Sequence, residues 1–241
     1  LSVQFQTEDV YKKLNDKNTK GNKEFIIKNA LQYYEDAKIE LTPYDLIQRI
    51  TPSSLELEEF YSEKISGDKY SNINDILAKE IFDYADFGTL AHGYLEYFVN
   101  NYNEGYYDIN NVNIAPELTA KLLPNEKEII CDACKKMVEQ FANTKIGCFL
   151  LDCKKNNLFY KSEYGFKLFE NNSIITGSID LIFEVPNNKY IIVDYKTDSA
   201  INNEKYYTQQ RCYKKAAQEI LNVDSSKIEC YLYYLRFDKL I

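Results

Sequence analysis

Two aspartates and a lysine carry most of the chemistry that this sequence offers. Asp180 closes the segment Gly177-Ser178-Ile179-Asp180, and Asp194 and Lys196 stand on either side of Tyr195. Both segments lie in the stretch IITGSIDLIFEVPNNKYIIVDYKTD at 174–198, where two apolar runs flank Pro186-Asn187-Asn188-Lys189. Runs rich in Ile, Val, Phe and Tyr around such a break predict a β-hairpin. On an extended chain Asp194 and Lys196 point to one side, and Val193 and Tyr195 to the other. A carboxylate and an ammonium at the end of a buried strand are costly without partners, and a divalent cation is one partner that oxygen ligands would hold. A structural ion pair between Asp194 and Lys196 is the alternative for the lysine, and a half-exposed surface position the alternative for Asp180.

The register of this hairpin decides whether the carboxylates meet. If Val185 pairs with Tyr190, Asp180 falls opposite Tyr195, on the wrong face from Asp194 and Lys196. A three-residue loop or a bulge must shift the pairing by one residue for a shared site to form.

The elements around the hairpin bring further polar groups. Phe87 to Asn100, reading FGTLAHGYLEYFVN, is amphipathic, with Phe87, Leu90, Ala91, Tyr94, Leu95 and Phe98 on one stripe. His92, the chain's one histidine, lies about 100–150° from the centre of that stripe, at the edge of the core, and Glu96 follows one turn later on the same side. A lone histidine there serves as a core-edge residue or as a ligand. Glu204 to Leu221 has helical pattern, with Tyr206, Gln209 and Tyr213 sharing a face with Ala216 and Ile220. Arg211, Lys214 and Lys215 fall on the opposite side, facing solvent or an anionic partner.

The ordered set Gly88-x-x-x-His92, Gly177-Ser-Ile-Asp180, Asp194-Tyr-Lys196 and Tyr206-x-x-Gln209-x-x-x-Tyr213 resembles the PD-(D/E)XK nuclease superfamily. More closely, it is similar to the RecB/AddA-type nuclease domains at the C-termini of helicase-nucleases. The resemblance covers roughly residues 50 to 235. It implies an α/β restriction-endonuclease-like core, a central mixed sheet flanked by helices, and metal-dependent hydrolysis of DNA phosphodiesters. It further implies His92, Asp180, Asp194 and the Tyr195 carbonyl as metal ligands, Lys196 as the residue that orients or deprotonates the attacking water, and Gln209 and Tyr213 as groups that position phosphate or Lys196. Mg²⁺ is the expected metal, and a nitrogen ligand adds Mn²⁺ as a second candidate beside it. Glu163, in SEYGF before the hairpin, is a weaker candidate, since relatives carry a glutamate near the metal and an exposed strand position also fits. Where the family usually has leucine after the motif glutamine, this chain has Gln210. Thr51-Pro52-Ser53-Ser54, with a serine cap before LELEEFYSEK, resembles the family's entry helix.

Composition bounds the rest. At 241 residues, 45% hydrophobic and 27% charged, the chain accommodates one sizeable α/β domain with a helical extension. The expected division is a helical N-terminal extension over 1–50 and the nuclease domain over 51–241. Within the former, Phe25, Ile26, Ala30, Tyr33 and Ala37 fall along one helix face. Asn100 to Asn113 is expected to be a loop, Pro116 to Thr144 helical, Asn156-Asn157 a turn, and Lys227 to Arg236 the closing strand. No apolar run is long enough to span a bilayer and no signal-peptide pattern opens the chain, so the cytoplasm is the expected compartment. The chain starts at Leu1, and its one methionine is Met137, which reads as a piece of a longer polypeptide. No Walker A sequence occurs, so a helicase domain of the same polypeptide, with a partner subunit, is the expected source of a motor. The net charge of -8 predicts weak DNA binding by the piece alone.

Some relatives bind an iron–sulfur cluster through one cysteine before the core and three after it. Here Cys212 and Cys230 are the cysteines that follow, and no cluster is expected. Cys131 and Cys134 have metal-ligand spacing but sit in helical pattern, as small buried residues. Two other readings remain at this stage: an inactive DNA-binding or scaffolding module of the same fold, whose mark would be a missing core residue, and a stand-alone single-strand exonuclease.

Overall fold

A computed structural model describes residues 48–55, 67–79, 81–102, 108–109, 114–170 and 173–241. All lie in the compact unit Ile47–Ile241. Residues 1–47 of the proposed extension over 1–50, the run after Leu55 and most of the 100–113 segment therefore fall outside the described residues, while Gln48–Ile50, expected to end a helical extension, form a strand.

The elements are, in order, β1 (Gln48–Ile50), α1 (Asn74–Leu77), α2 (Tyr84–Asn101), α3 (Pro116–Thr119), α4 (Pro124–Asn143), α5 (Lys145–Lys155), β2 (Tyr160–Glu170), β3 (Ser173–Val185), β4 (Lys189–Lys196), α6 (Tyr207–Leu221), β5 (Ile228–Tyr234) and β6 (Lys239–Leu240), with short 3-10 turns between some of them. They form a mixed sheet in the order β1-β3-β4-β5-β6, with β2 also paired to β3. The β2, β3 and β4 strands run antiparallel in succession, and β5 lies parallel to β4 after the α6 crossover. This is the mixed α/β architecture of a central sheet flanked by helices. The short strands β1 and β6 and the helices α1 and α5 are additions to the sequence reading.

The helices cover the two faces unequally. On one face Leu181, Phe183, Val193, Tyr195 and Tyr233 pack with the apolar stripe of α2 and with Val138 and Phe141 of α4 and Leu150 of α5. The stripe predicted for α2 is buried in full. The sequence pattern places its start at Phe87, but the Asp83 side chain accepts from the Ala85 and Asp86 N–H groups and so caps the helix one turn earlier. On the other face Ile182, Tyr190 and Ile192 pack with Cys212, Tyr213, Ala216 and Ala217 of α6. Pro52–Leu55 forms a 3-10 turn rather than the start of an α-helix in its described part, because Thr51 and Ser54 bond to one another: Ser54 Oγ donates to the Thr51 carbonyl at 2.7 Å. Cys131 and Cys134 both lie on α4, the second of them buried. No helix among the described residues is long and apolar enough to cross a membrane.

Candidate active site

The hairpin loop sets the geometry. Asn187 and Asn188 both adopt positive φ, 71° and 54°, a conformation that asparagine tolerates better than most residues. Pro186, Asn187 and Asn188 thus close the turn, and Val185 faces Lys189. That register carries Asp180 opposite Asp194. The ladder's last pair is Leu181 with Val193; beyond it the strands part. There Asp180 Oδ2 accepts the Tyr195 N–H at 2.8 Å, standing in for the missing strand carbonyl.

Asp180 also sits at a break in the alternation of β3. Ile175 and Ile179 face α6, yet Leu181 and Phe183 face α2 and α4. β2 breaks at the facing position: Phe166 and Leu168 pack toward α6, whereas Tyr160 packs on the opposite side. The residue at the break is Glu163, with φ of 45°, and it is skipped between the pairs Ser162–Leu181 and Tyr164–Ile179. Left-handed backbone at a glutamate costs about 1–2 kcal/mol. Because both strands break together, the register is the same before and after. The consequence is a cluster: ligand atoms of His92, Glu163 and Asp180 all lie within 4.8 Å of one another.

Close packing at two glycines admits the other parts. A Cβ on Gly88, one turn before His92, would lie 3.2 Å from Thr197 Oγ1, so the glycine lets α2 approach the end of β4. A Cβ on Gly177 would lie 3.0 Å from both Phe166 and Pro52. His92 Nδ1 is then 3.5 Å from Asp180 Oδ2, and its Nε2 is 3.1 Å from the Tyr195 carbonyl oxygen. Glu96, one turn after His92 on the same side of α2, lines a groove with Asn100 and Tyr160.

The electrostatics of this cluster call for a cation. Burial raises the Asp194 carboxyl to about 7 despite the attraction of Lys196, and burial raises Asp180 to about 6 despite the Tyr195 N–H. His92 keeps 29% of its side chain exposed, yet the protein atoms crowded around the ring lower its pKa. A neutral imidazole has one donor and one acceptor nitrogen. Both nitrogens here face oxygens, so one of them presents a lone pair to another lone pair. A divalent cation held among these groups would remove that conflict and the buried negative charge together, and a donor set of oxygen and imidazole would suit such a cation.

Lys196 sits beside these groups with 11% of its side chain exposed, its Nζ 2.9 Å from Asp194 Oδ2. That contact is an ion pair without an aligned hydrogen bond at the carboxylate oxygen. Lys196 Nζ donates to Gln209 Oε1 at 2.8 Å, and Gln209 Nε2 donates to Tyr213 Oη at 2.9 Å. The α6 helix therefore reaches the site through Gln209, with Tyr213 behind it. Arg211 is exposed, and Lys215 is paired with Glu170 at 3.0 Å.

Every polar residue singled out in the motifs is thus in one place. A profile of the PD-(D/E)XK nuclease superfamily matches residues 69–240, well over half of the chain. The chain belongs to the PD-(D/E)XK nuclease superfamily. No curated protein matches it at the threshold of significance applied. Superfamily membership implies a nuclease that uses divalent metal and acts on DNA, and the cluster of His92, Glu163 and Asp180 could hold such a metal. Sequence spacing ranked Glu163 below the other candidates, since nothing in SEYGF signals a left-handed glutamate. It named Tyr206 in the motif but gave no role to the ring, whose centroid is 3.9 Å from Lys196 Nζ.

Two predictions arise from these surroundings. Tyr195 Oη is buried without a hydrogen-bond partner among the described residues, so Tyr195→Phe should stabilise the domain by about 1 kcal/mol, read as a higher urea midpoint. A lower midpoint would mean that the hydroxyl has a partner in solution.

The second concerns pH. In chelator, the folded state binds protons at Asp180 and Asp194 that the unfolded state has lost above about pH 4. Stability contributed this way is present at low pH and falls as pH rises through about 6 and 7. His92, with its lowered pKa, works in the opposite direction below its unfolded value and offsets part. The net expectation is a metal-free domain more stable at pH 5 than at pH 7.5 by on the order of 1 kcal/mol, a difference that saturating Mg²⁺ removes. Denaturant titration at both pH values measures it; a metal-free domain that is less stable at pH 5 contradicts the assignment.

Proposed function

We propose that the chain cleaves DNA phosphodiester bonds with Mg²⁺ or Mn²⁺ held by His92, Asp180, Asp194 and the Tyr195 carbonyl, as the nuclease part of a RecB/AddA-like helicase-nuclease that processes double-strand breaks. The observation that carries the catalytic reading is the facing of two buried, proton-prone aspartates and a neutral histidine whose two nitrogens both meet oxygens. The metal, when bound, supplies Lewis-acid stabilisation of the attacked phosphate and an acidified water. The chain's own residues do the rest. Lys196 orients the attacking water and offsets charge developing at phosphorus. Gln209 holds the ammonium, and Tyr213 holds the Gln209 amide so that its oxygen faces Lys196.

The helicase-nuclease context is supported by the Gly88-x-x-x-His92 and Tyr206-x-x-Gln209-x-x-x-Tyr213 elements and by the acidic charge. A net charge of -8 leaves few cations to neutralise phosphates, so a basic channel on the rest of a larger assembly would deliver the strand. DNA affinity of this piece alone should be weak and fall steeply with salt, as a fluorescence-anisotropy titration across about 50–200 mM salt would record. Tight binding that ignores salt would place the DNA surface elsewhere. No iron–sulfur cluster belongs to this reading.

The direct test is cleavage of end-labelled single- and double-stranded DNA with Mg²⁺ or Mn²⁺. Cleavage that stops on chelation supports the proposal; cleavage indifferent to chelator, or none with either metal in the full-length protein, refutes it.

A further inference from the structure

We propose that Tyr206 is a positioning residue that holds the Lys196 ammonium over its ring, and that Asp198 anchors Tyr206 in turn. The inference rests on the active-site role of Lys196 given above. An ammonium has three N–H donors. In this site one contact is the Asp194 carboxylate at 2.9 Å and a second is Gln209 Oε1 at 2.8 Å. The Tyr206 ring supplies a third, with Nζ 3.9 Å from the ring centroid, well inside the range of about 6 Å over which a ring face attracts a cation. Tyr206 is itself buried, at 4% exposure. Its hydroxyl donates to Asp198 Oδ2 at 2.7 Å and accepts from Lys205 Nζ at 2.9 Å. Lys205 also pairs with Asp198 Oδ1 at 3.4 Å, and its own Nζ lies farther from the ring centre, at 4.8 Å.

The arrangement is a closed clamp. Lys196 ends β4 and Asp198 lies two residues later, so the ring is tied by its hydroxyl to the same short segment whose lysine it supports. The clamp matters because Asp194 has two claims on it. When Asp194 serves a metal ion, its hold on Lys196 weakens, and Gln209 and Tyr206 are the contacts that do not depend on the metal. Without the ring, the ammonium has room to leave the reacting phosphate.

The experiment uses nuclear magnetic resonance of lysine-labelled protein beside cleavage kinetics. In the wild type the Lys196 side-chain resonances, identified by their loss in Lys196→Arg, should be shifted upfield by the ring and remain so when Mg²⁺ is added. Tyr206→Phe keeps the face but loses the hydroxyl tie to Asp198, so it should reduce the shift as Asp198→Ala does, with turnover between the wild type and Tyr206→Leu. Tyr206→Leu should lose the shift and lower kcat about tenfold, with KM within about twofold. Should Tyr206→Leu fail to fold, Asp198→Ala keeps the tyrosine but unties its hydroxyl, so the ring is free to swing from Lys196 and the same resonances should move toward those of an exposed lysine. An unshifted Lys196 in the wild type overturns the proposal, as does a shift that survives Tyr206→Leu or Asp198→Ala. Wild-type kcat in Tyr206→Leu also overturns it. If the wild type cleaves nothing, the function proposed above fails, and the resonances alone decide the clamp.

Discussion

Asp194→Ala is expected to abolish metal binding and DNA cleavage together. Asp194 is 2% exposed, its carboxyl is pushed up to about 7 by burial, and it faces Asp180 across the opened end of the hairpin. Removing it would take away a proposed ligand and one of the carboxylates that would hold a divalent cation, beside Asp180 and Glu163. The fall in kcat/KM should be at least about 1,000-fold, or about 4 kcal/mol of transition-state stabilisation. Calorimetric titration with Mn²⁺ should show no heat at concentrations that saturate the wild type. Unchanged metal affinity in this variant would mean that the carboxylate is structural, a partner for Lys196 and nothing more.

Lys196→Ala should separate what Asp194→Ala removes at once. The ammonium touches the carboxylate, Gln209 and the Tyr206 ring, and no ligand is lost with it. Lys196 lowers the pKa of both aspartates, so its removal makes protons stronger competitors for the site near neutrality. At pH 8.5, above both carboxyl values, the metal should bind at least as tightly as in the wild type, because a positive neighbour has gone. Turnover at that pH should still fall by about 100- to 1,000-fold, since water orientation and charge stabilisation are lost. Cleavage at the wild-type rate would remove Lys196 from the mechanism. Loss of metal affinity at pH 8.5 would instead assign the lysine to building the site.

The parts of the site that were legible in the sequence are those with a local signature. The runs around Pro186 announce two strands. The spacing of Phe87, Leu90, Tyr94 and Phe98 announces a buried helix face with His92 at its edge. The two-residue spacing of Asp194 and Lys196 places them on one side of β4, where they now form an ion pair. Loop length was open, because asparagines at 187 and 188 permit left-handed turns without fixing how many residues the turn takes. The observed three-residue loop is what carries Asp180 opposite Asp194.

The break at Glu163 was beyond reach for a different reason. Glutamate has no preference for positive φ, and the strain there is sustained by pairing with β3, where Asp180 breaks the alternation at the facing position. Such a feature belongs to two strands at once and to neither one's sequence. The Tyr206 ring is similar. A short 3-10 turn over Glu204–Tyr206 precedes α6 and aims the ring back at the end of β4, a direction that helical periodicity from Glu204 onward does not encode. Lys215, on the side expected to face solvent or DNA, finds Glu170 across the sheet, a tertiary pairing without a local mark.

The central claim, that one divalent metal site is built by α2, β3 and β4, is tested most directly by anomalous scattering from crystals of the protein grown with Mn²⁺. The account predicts an anomalous peak in contact with His92, Asp180 and Asp194, with the Tyr195 carbonyl turned toward it and Lys196 Nζ still bonded to Gln209. Crystals saturated with Mn²⁺ that show no peak there, or a peak bound elsewhere while DNA is cleaved, would contradict it.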